Sequence, residues 1–410
     1  MIPDKKTLYR LPWSLNDNPI AWLEITDVCD IHCPCCYRQN ITGHKPLDQI
    51  KTEVLFLKRW RNPDNISIAG GEPLLHPHII DIVAFIAEQG LKPIIITNAV
   101  SLTPDLLRNL KQAGVAGFTI HIDSRQFRPG WEGADETALN AVRQQYTDML
   151  HAEGGLLAFF NSTVFADTLA QVPSIVSWGL SQIDKVHGLV FITFRHITPE
   201  TASAASAAPD RLDTLGYVIN ASEERFLTSG DVYDCIKQHQ PLYDVSSYLG
   251  GSVVHSSIKW LVGTMIGSRH TIFGSMTGKT MELVQTLHHL FTGRYASYFS
   301  SNRVGNRFFT AGLWDRAIRS AAFRRTKELL RRPWRLFNRI YMQSIVIVQA
   351  PDLLPDGSVD MCDSCPDTTV YNGRLVHSCR LDEYRLFGSL VSVARPLHTD
   401  TAPNNQPADE

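Results

Sequence analysis

Between residue 20 and about residue 197, short apolar runs alternate with longer stretches whose apolar residues recur at helical spacing. The runs are 20–26, 65–69, 93–97, 116–122, 156–161 and 189–195, and the helical stretches include 47–60, 79–89, 104–113 and 135–152. Strand, helix, strand repeated in this way predicts right-handed crossovers and a parallel α/β sheet. Six such strands fit a partial (β/α)6 barrel as well as a doubly wound open sheet, and periodicity alone does not separate the two.

The pattern then changes. Residues 201–209 are rich in Ala and Ser and read as a linker. Residues 210–345 read as mainly helical, with 280–291 and 313–330 as examples, and a last β-like run at 344–349 leads into a cysteine-bearing end. The expected organisation is a lead-in (1–19), a barrel (20–200), a helical region (201–345), a metal-binding region (346–390) and a disordered tail (391–410).

The chain has 410 residues, 44% hydrophobic and 20% charged, which excludes a disordered protein and suffices for one large core or two domains. No run approaches about 18 uninterrupted apolar residues, and the first residues lack a signal-peptide core, so a cytoplasmic protein is expected. The formal charge of −2 conceals a cancellation. Residues 301–340 hold ten Arg plus Lys327 against Asp315 and Glu328, a local excess of +9, and the remainder carries −11.

Six of the eight cysteines fall into two sets. Cys29, Cys33 and Cys36 follow the first predicted strand with Cys-x3-Cys-x2-Cys spacing. Three thiolates on a short loop suit a [4Fe–4S] cluster whose fourth iron stays open, with tetrahedral zinc as the competitor. Cys362, Cys365 and Cys379 form the second set, a Cys-x2-Cys knuckle followed by a hairpin predicted at Asn372-Gly373. A second iron–sulfur cluster is expected there, with zinc or no metal as alternatives. Candidates for a fourth ligand are Asp363, Asp367, His377 and Cys235, although Cys235 lies in a helix-like segment and reads rather as core; the alternative is an open fourth site that binds substrate. Cys35 reads as a small packed hydrophobe or a replacement ligand.

The second strand runs into Gly70-Gly71-Glu72-Pro73. Glycines let the backbone approach a ligand, Glu72 can hold an ammonium, and Pro73 stiffens the exit; the alternative is a plain turn. The next two strands end in Thr97-Asn98 and Asp123-Ser124, which either contact a ligand or cap the following helices. Asn161 and Arg195 are further candidates, with barrel packing as the alternative.

With these residues in hand, the chain resembles the radical S-adenosylmethionine (SAM) enzymes. The loop from Thr26 to Tyr37 is similar to their cluster loop, Gly70–Pro73 to their grip on the methionyl amino group, and Thr97-Asn98 and Asp123-Ser124 to their later strand ends. The resemblance implies a partial (β/α)6 TIM-like barrel and a [4Fe–4S] cluster with SAM. It also implies reductive cleavage to a 5′-deoxyadenosyl radical, and a flavodoxin- or ferredoxin-type electron donor. The Cys362–Cys379 segment resembles the auxiliary-cluster extensions called SPASM or twitch domains. The stretch from Cys362 to Tyr384 is similar to the ending of the archaeal tetraether lipid synthase group, some members of which carry a dihydropterin methyltransferase label. That group has a further metal-binding region ahead of the barrel, whereas this chain starts almost at the barrel.

The segment 301–340 interleaves Arg with Phe, Trp and Leu, the composition of a helix lying on an anionic bilayer, or of a solvated basic face over a core stripe. RNA binding is a weaker reading because no RNA module accompanies it. Together with the lipid synthase resemblance it leads to a lipid or isoprenoid substrate and peripheral contact with the inner membrane face. The other classes are a peptide-modifying radical SAM enzyme, a pterin methyltransferase, and a non-enzymatic iron–sulfur electron carrier or sensor. His288 and His289 read as exposed or core-edge residues rather than metal ligands.

Overall fold

A two-residue strand, β1 (Tyr9–Arg10), precedes the alternating segment. That segment folds as β2 (Ile20–Thr26), α1 (Leu47–Arg61), β3 (Asn65–Gly70), α2 (Ile79–Glu88), β4 (Lys92–Thr97), α3 (Pro104–Gln112), β5 (Gly117–His121), α4 (Asn140–Glu153), β6 (Leu157–Val164), α5 (Val172–Ser181) and β7 (Gly188–Thr193). This is a computed structural model, and it describes residues 4–31, 33, 36–38, 43–196, 202–204, 215, 226–299, 302–354 and 358–393. Strands β2 to β7 pair in parallel in chain order. The helices bury the stripes their spacing predicts: Ile50, Val54 and Leu57 on α1, and Ile79, Ile82, Val83 and Ile86 on α2. Helix α3 starts where Thr103 accepts from the Leu106 amide, with Pro104 in the first turn.

The expectation of a mainly helical 201–345 needs correction, because strands that join the main sheet lie between its helices. The region contains β8 (Ala202–Ala204), α6 (Ser229–His239), β9 (Val245–Gly250), β10 (Ile258–Ser268), β11 (Thr271–Ser275), α7 (Gly278–Thr292), β12 (Arg303–Val304) and α8 (Arg316–Arg331), then β13 (Ile340–Gln349). Helices α7 and α8 match expected helices and β13 contains the β-like run expected at 344–349, but β8 to β12 were missed. Strand β10 is buried on both faces, so its eleven residues show no polar–apolar alternation to separate strand from buried helix. Strand β13 pairs in parallel with β7, β10 pairs antiparallel with β13, and β9 antiparallel with β10. The sheet order is therefore β1-β9-β10-β13-β7-β6-β5-β4-β3-β2.

The cysteine-bearing end continues as β14 (Asp352–Leu353), β15 (Val359–Asp360), β16 (Thr368–Tyr371), β17 (Arg374–His377), α9 (Leu381–Phe387) and β18 (Val391–Val393). The β16–β17 turn passes through Asn372 and Gly373, both at positive φ (47° and 70°), as a two-residue hairpin requires. Strand β18 pairs with β8, so the start of the expected disordered tail and part of the expected linker form a ladder. The remainder of both lies outside the described residues. Strand β16 packs on β2 and α1, while Cys362 bridges to Gly251 just after β9. The segment thus spans the gap between the two ends of the sheet. The architecture is a partial TIM-like barrel carrying a cysteine-rich C-terminal segment. Among the described residues, no helix is long and apolar enough to cross a membrane.

Candidate active site

A cavity of about 930 Å³ occupies the barrel lumen, and Cys29, Cys33 and Cys36 line it from the loop after β2. The Cys36 amide donates to the Cys33 carbonyl (3.1 Å), and the Arg38 amide donates to Cys36 Sγ (3.4 Å). Burial pushes the Cys29 and Cys33 thiols up and Cys36 up to about 11, so the loop alone holds neutral thiols. A bound cation would supply the charge that makes them thiolates. Cys35 lies outside the described residues.

The glycines after β3 secure this loop. Gly71 donates to the Thr26 carbonyl and the Glu72 amide to the Val28 carbonyl, both at 2.7 Å. A Cβ on Gly70, whose φ is +132°, would stand 2.2 Å from the Thr26 carbonyl oxygen, and one on Gly71 2.3 Å from that of Val28. The close approach expected toward a ligand is thus made first to the stem of the cysteine loop. Both glycines also line the cavity, with Thr97, Asn98 and Asp123.

Glu72 stands behind this wall, wholly buried. It accepts from Thr97 Oγ1 (2.6 Å), the Asn98 amide (2.7 Å) and the Leu74 amide (3.0 Å), which ties the end of β3 to that of β4. Its acceptors are used by these groups rather than presented to the lumen. Pro73 opens the short turn beyond it and is also buried. Burial pushes the Glu72 carboxyl up to about 7 against these three donors. Between its ordinary value of 4.5 and about 7, the folded chain holds a proton that the unfolded chain has released, so stability falls as pH rises through this window. Glu72→Gln is expected to flatten that slope, read as the difference between thermal melts at pH 5 and pH 7.

Asn98 Nδ2 donates to Asp30 Oδ1 (2.6 Å) beside Cys29, and its carbonyl accepts from Arg128 (2.5 Å). Ala99 adopts a left-handed φ of 60°. Burial works to raise the Asp123 carboxyl, but the His121 ring (2.6 Å) and the amides of Thr163 and Arg125 outweigh it and hold it low. Ser124 donates its amide to Glu136 (2.7 Å). Asn161 and Arg195 both line the lumen, and Arg195 pairs with Asp352 (2.7 Å).

The second cysteine set faces the same cavity. Cys362, Cys365 and Cys379 line it, with Cys362 and Cys365 packed among Leu11, Leu249 and Trp260. Proximity to Cys362, then burial, pushes the Cys365 thiol well up; burial, then Cys362, does the same for Cys379. Of the four candidate fourth ligands, Asp367 lines the cavity, and burial pushes its carboxyl up to about 7. Cys235 instead donates to the Leu169 carbonyl (3.3 Å), and Asp363 pairs with Arg10. Among the described residues no three metal-ligating side chains converge on one point.

Residues 23–143 match the profile of the Radical SAM superfamily. This segment is a radical SAM domain. The chain is similar to the AdoMet-dependent heme synthase of Methanosarcina barkeri, at 30% identity over 30% of this chain and 37% of that protein. It is also similar to the GTP 3′,8-cyclase of Marinobacter nauticus, at 30% identity over 25% of this chain and 32% of that protein. The chain thus spans about a third of the length of these relatives. Among solved structures, Streptococcus suis SuiB bound to S-adenosylmethionine matches with a TM-score of 0.40 and 13% identity, covering 54% of this chain and 47% of that one.

The superfamily uses a [4Fe–4S] cluster and SAM, and the radical SAM domain fits both. Three thiols share one loop, and Asn161 Oδ1 and Thr193 Oγ1 face the lumen buried, with no partner among the described residues. At the second set, the Trp260 indole N–H is likewise buried without a partner beside Cys362 and Cys365. Donors of this kind stabilise cluster sulfurs.

Sequence reasoning missed three arginines that join the radical SAM domain to the C-terminal segment. Buried Arg61 donates to the carbonyls of Ile20 (2.9 Å), Cys365 and Pro366 (both 3.0 Å). Its signal was present, because Arg61 continues the stripe Ile50, Val54, Leu57 on α1. Arg38 contacts Glu24 (3.5 Å), Asp27 (2.9 Å) and Asp382 of α9 (2.5 Å), and Arg385 grips Asp27 with two bonds of 2.6 Å. Nothing local marks that pairing. His288 and His289 behave as core-edge residues, bonding to the Arg294 carbonyl (2.8 Å) and Asp17 (2.9 Å).

Proposed function

We propose that the protein is a radical SAM enzyme that abstracts hydrogen from an unactivated carbon of a lipid or isoprenoid chain, leading to carbon–carbon bond formation or another C–H functionalisation. The observation that carries this reading is that both cysteine sets open on one elongated, mainly apolar lumen. Its volume of about 930 Å³ lies at the upper end of small-molecule sites. Strand β13 lines the lumen from Met342 to Gln349, and seven steps at about 3.3 Å each give a wall of roughly 23 Å, longer than one leaflet of a hydrocarbon core about 30 Å thick.

A cluster and SAM held at Cys29, Cys33 and Cys36 would supply one-electron cleavage to methionine and a 5′-deoxyadenosyl radical. The chain's own residues then bind, orient and shield. Gly70, Gly71, Thr97, Asn98 and Asp123 form the wall nearest the loop, and Glu72 with Ser124 fixes that wall from behind. Val190, Ile192, Val262 and Val346 present an apolar surface that offers no group to quench a carbon radical and keeps water out. Cys362, Cys365 and Cys379 would hold an auxiliary cluster able to take an electron from the substrate. Electrons would reach the enzyme from a flavodoxin- or ferredoxin-type donor, and segment 301–340 would touch an anionic membrane.

The test is anaerobic incubation of the reconstituted full chain with SAM, reductant and a lipid extract. The expected outcome is 5′-deoxyadenosine together with lipid products that have lost hydrogen pairs or become joined. No 5′-deoxyadenosine would overturn the enzymatic reading. Its formation with a peptide or pterin product instead would overturn the lipid substrate.

A further inference from the structure

The lumen does not end at the cysteine loops. Its far wall is built by Val304, Phe308 and Met342 together with Tyr298, Phe299 and Arg303. These residues sit across the N-terminal ends of the barrel strands. Val304 pairs with Ile340, the first residue of β13, and Met342 lies two residues before Ser344, which pairs with the first residue of β7. Ser297 donates to Asn65, the first residue of β3 (2.8 Å), and Lys92, the first of β4, donates to the Tyr298 carbonyl (2.8 Å). Phe299 and Arg303 are exposed as well as lining the cavity, so the lumen reaches the surface at this end.

The surface beside that opening is unlike an ordinary soluble face. Helix α8 buries Ile318 and Ala321 against Ile266, Phe273 and Ile340. Its opposite face carries Arg316, Phe323, Lys327 and Leu330, which recur at helical spacing. Phe323 is 71% exposed, Leu330 82% and Leu313, just before the helix, 78%; Trp334 and Phe337, just after it, are 67% and 88% exposed. Phe337 lies beside Arg269 and His270 at the β10–β11 turn, again at the N-terminal end of the barrel.

The charge around these side chains is one-signed. Asp315 and Glu328, the two acidic residues of 301–340, are both engaged within the fold. Asp315 caps α8 by accepting from the Ala317 and Ile318 amides, and Glu328 accepts from Arg325 and Arg335 (both 2.7 Å). Arg316, Lys327, Arg331, Arg332 and Arg339 remain exposed around the apolar residues. Exposed aromatics and leucines ringed by arginine complement an anionic headgroup layer above an apolar interior.

Resting on the reading of a chain-like apolar substrate, we propose that the barrel is loaded from its N-terminal end. The α8 face lies on an anionic bilayer, and a lipid chain enters past Phe299, Val304 and Phe308 toward the cysteine loops. This is the end opposite to that at which barrel enzymes carry their chemistry. Substrate and the SAM site would then approach the reacting carbon from the two ends of one lumen.

The full chain is to be mixed at low salt with phosphatidylglycerol vesicles containing a trace of phosphatidylglycerol bearing a diazirine in the acyl chain. Sedimentation and photolabelling are both read. The expected result is sedimentation with these vesicles but not with phosphatidylcholine, and labels on α8 and on lumen residues such as Val190. The double variant Phe323→Glu/Leu330→Glu, folded by its melt, is expected to bind about tenfold or more weakly. Val304→Trp is expected to sediment normally but to lose the lumen labels. Absence of vesicle binding, labels confined to another face, or a dimer dissolved by the double variant in place of vesicle binding would overturn the proposal. None of these readouts needs the cluster or SAM, so their failure is separable from a failure to form 5′-deoxyadenosine.

Discussion

Cys33→Ala is expected to abolish SAM cleavage, while Cys379→Ala retains cleavage and loses only the conversion of substrate to product. The two residues lie in different loops that face the same lumen. With a three-thiolate cluster, loss of one ligand leaves the loop unable to hold its irons. The control is iron content after anaerobic reconstitution. Two [4Fe–4S] clusters give about eight irons per chain, and each variant is expected to keep about four. The paired readouts are iron and 5′-deoxyadenosine. If Cys33→Ala still produced 5′-deoxyadenosine at the wild-type rate, the assignment of the first set would fall. If Cys379→Ala kept all its iron, the assignment of the second set would fall.

Arg38→Met is expected to destabilise the fold by about 3–5 kcal/mol at pH 7, because it leaves buried carboxylates without their counter-charge. Burial works against the Arg38 charge, but Glu24 and Asp382 lead a set of neighbours that outweighs it and holds the guanidinium protonated. Burial already raises the Glu24 carboxyl, with Arg38 the leading group that opposes it, so with Arg38 gone Glu24 should titrate higher still, while Asp27 keeps its two bonds from Arg385. Groups raised in this way contribute stability at low pH that is lost as pH rises. The variant's deficit should therefore be smaller at pH 5 than at pH 7, and thermal melts at the two values measure it. An unchanged melt at pH 7 would mean that the network does not hold the cysteine loop to α9.

Arg61 and Arg38 differ in what the sequence offered. Arg61 sits on a helix whose buried stripe was legible, and an arginine continuing that stripe asks for buried acceptors. Arg38 comes after the cysteine loop with no periodicity around it. Its partner Asp382 is 344 residues away. Glu72 lies between these cases. The motif was legible, but the use of its oxygens was set by Thr97 and Asn98 on the next strand.

The sequence by itself determined that β2 to β7 are parallel strands joined by helices, the placement of Cys29, Cys33 and Cys36 after the first of them, and the hairpin at Asn372-Gly373. Each of these comes from local spacing, since helix and strand periods and turn residues act over a few positions. Only the tertiary structure decided that β10 and β13 extend the sheet, that the second cysteine set faces the same lumen as the first, and that the lumen opens beside α8. A strand buried on both faces carries no alternation, and closure of a barrel pairs residues hundreds of positions apart. The meeting of two distant segments depends on complementary side chains, such as Arg38 with Asp382, that no local pattern announces.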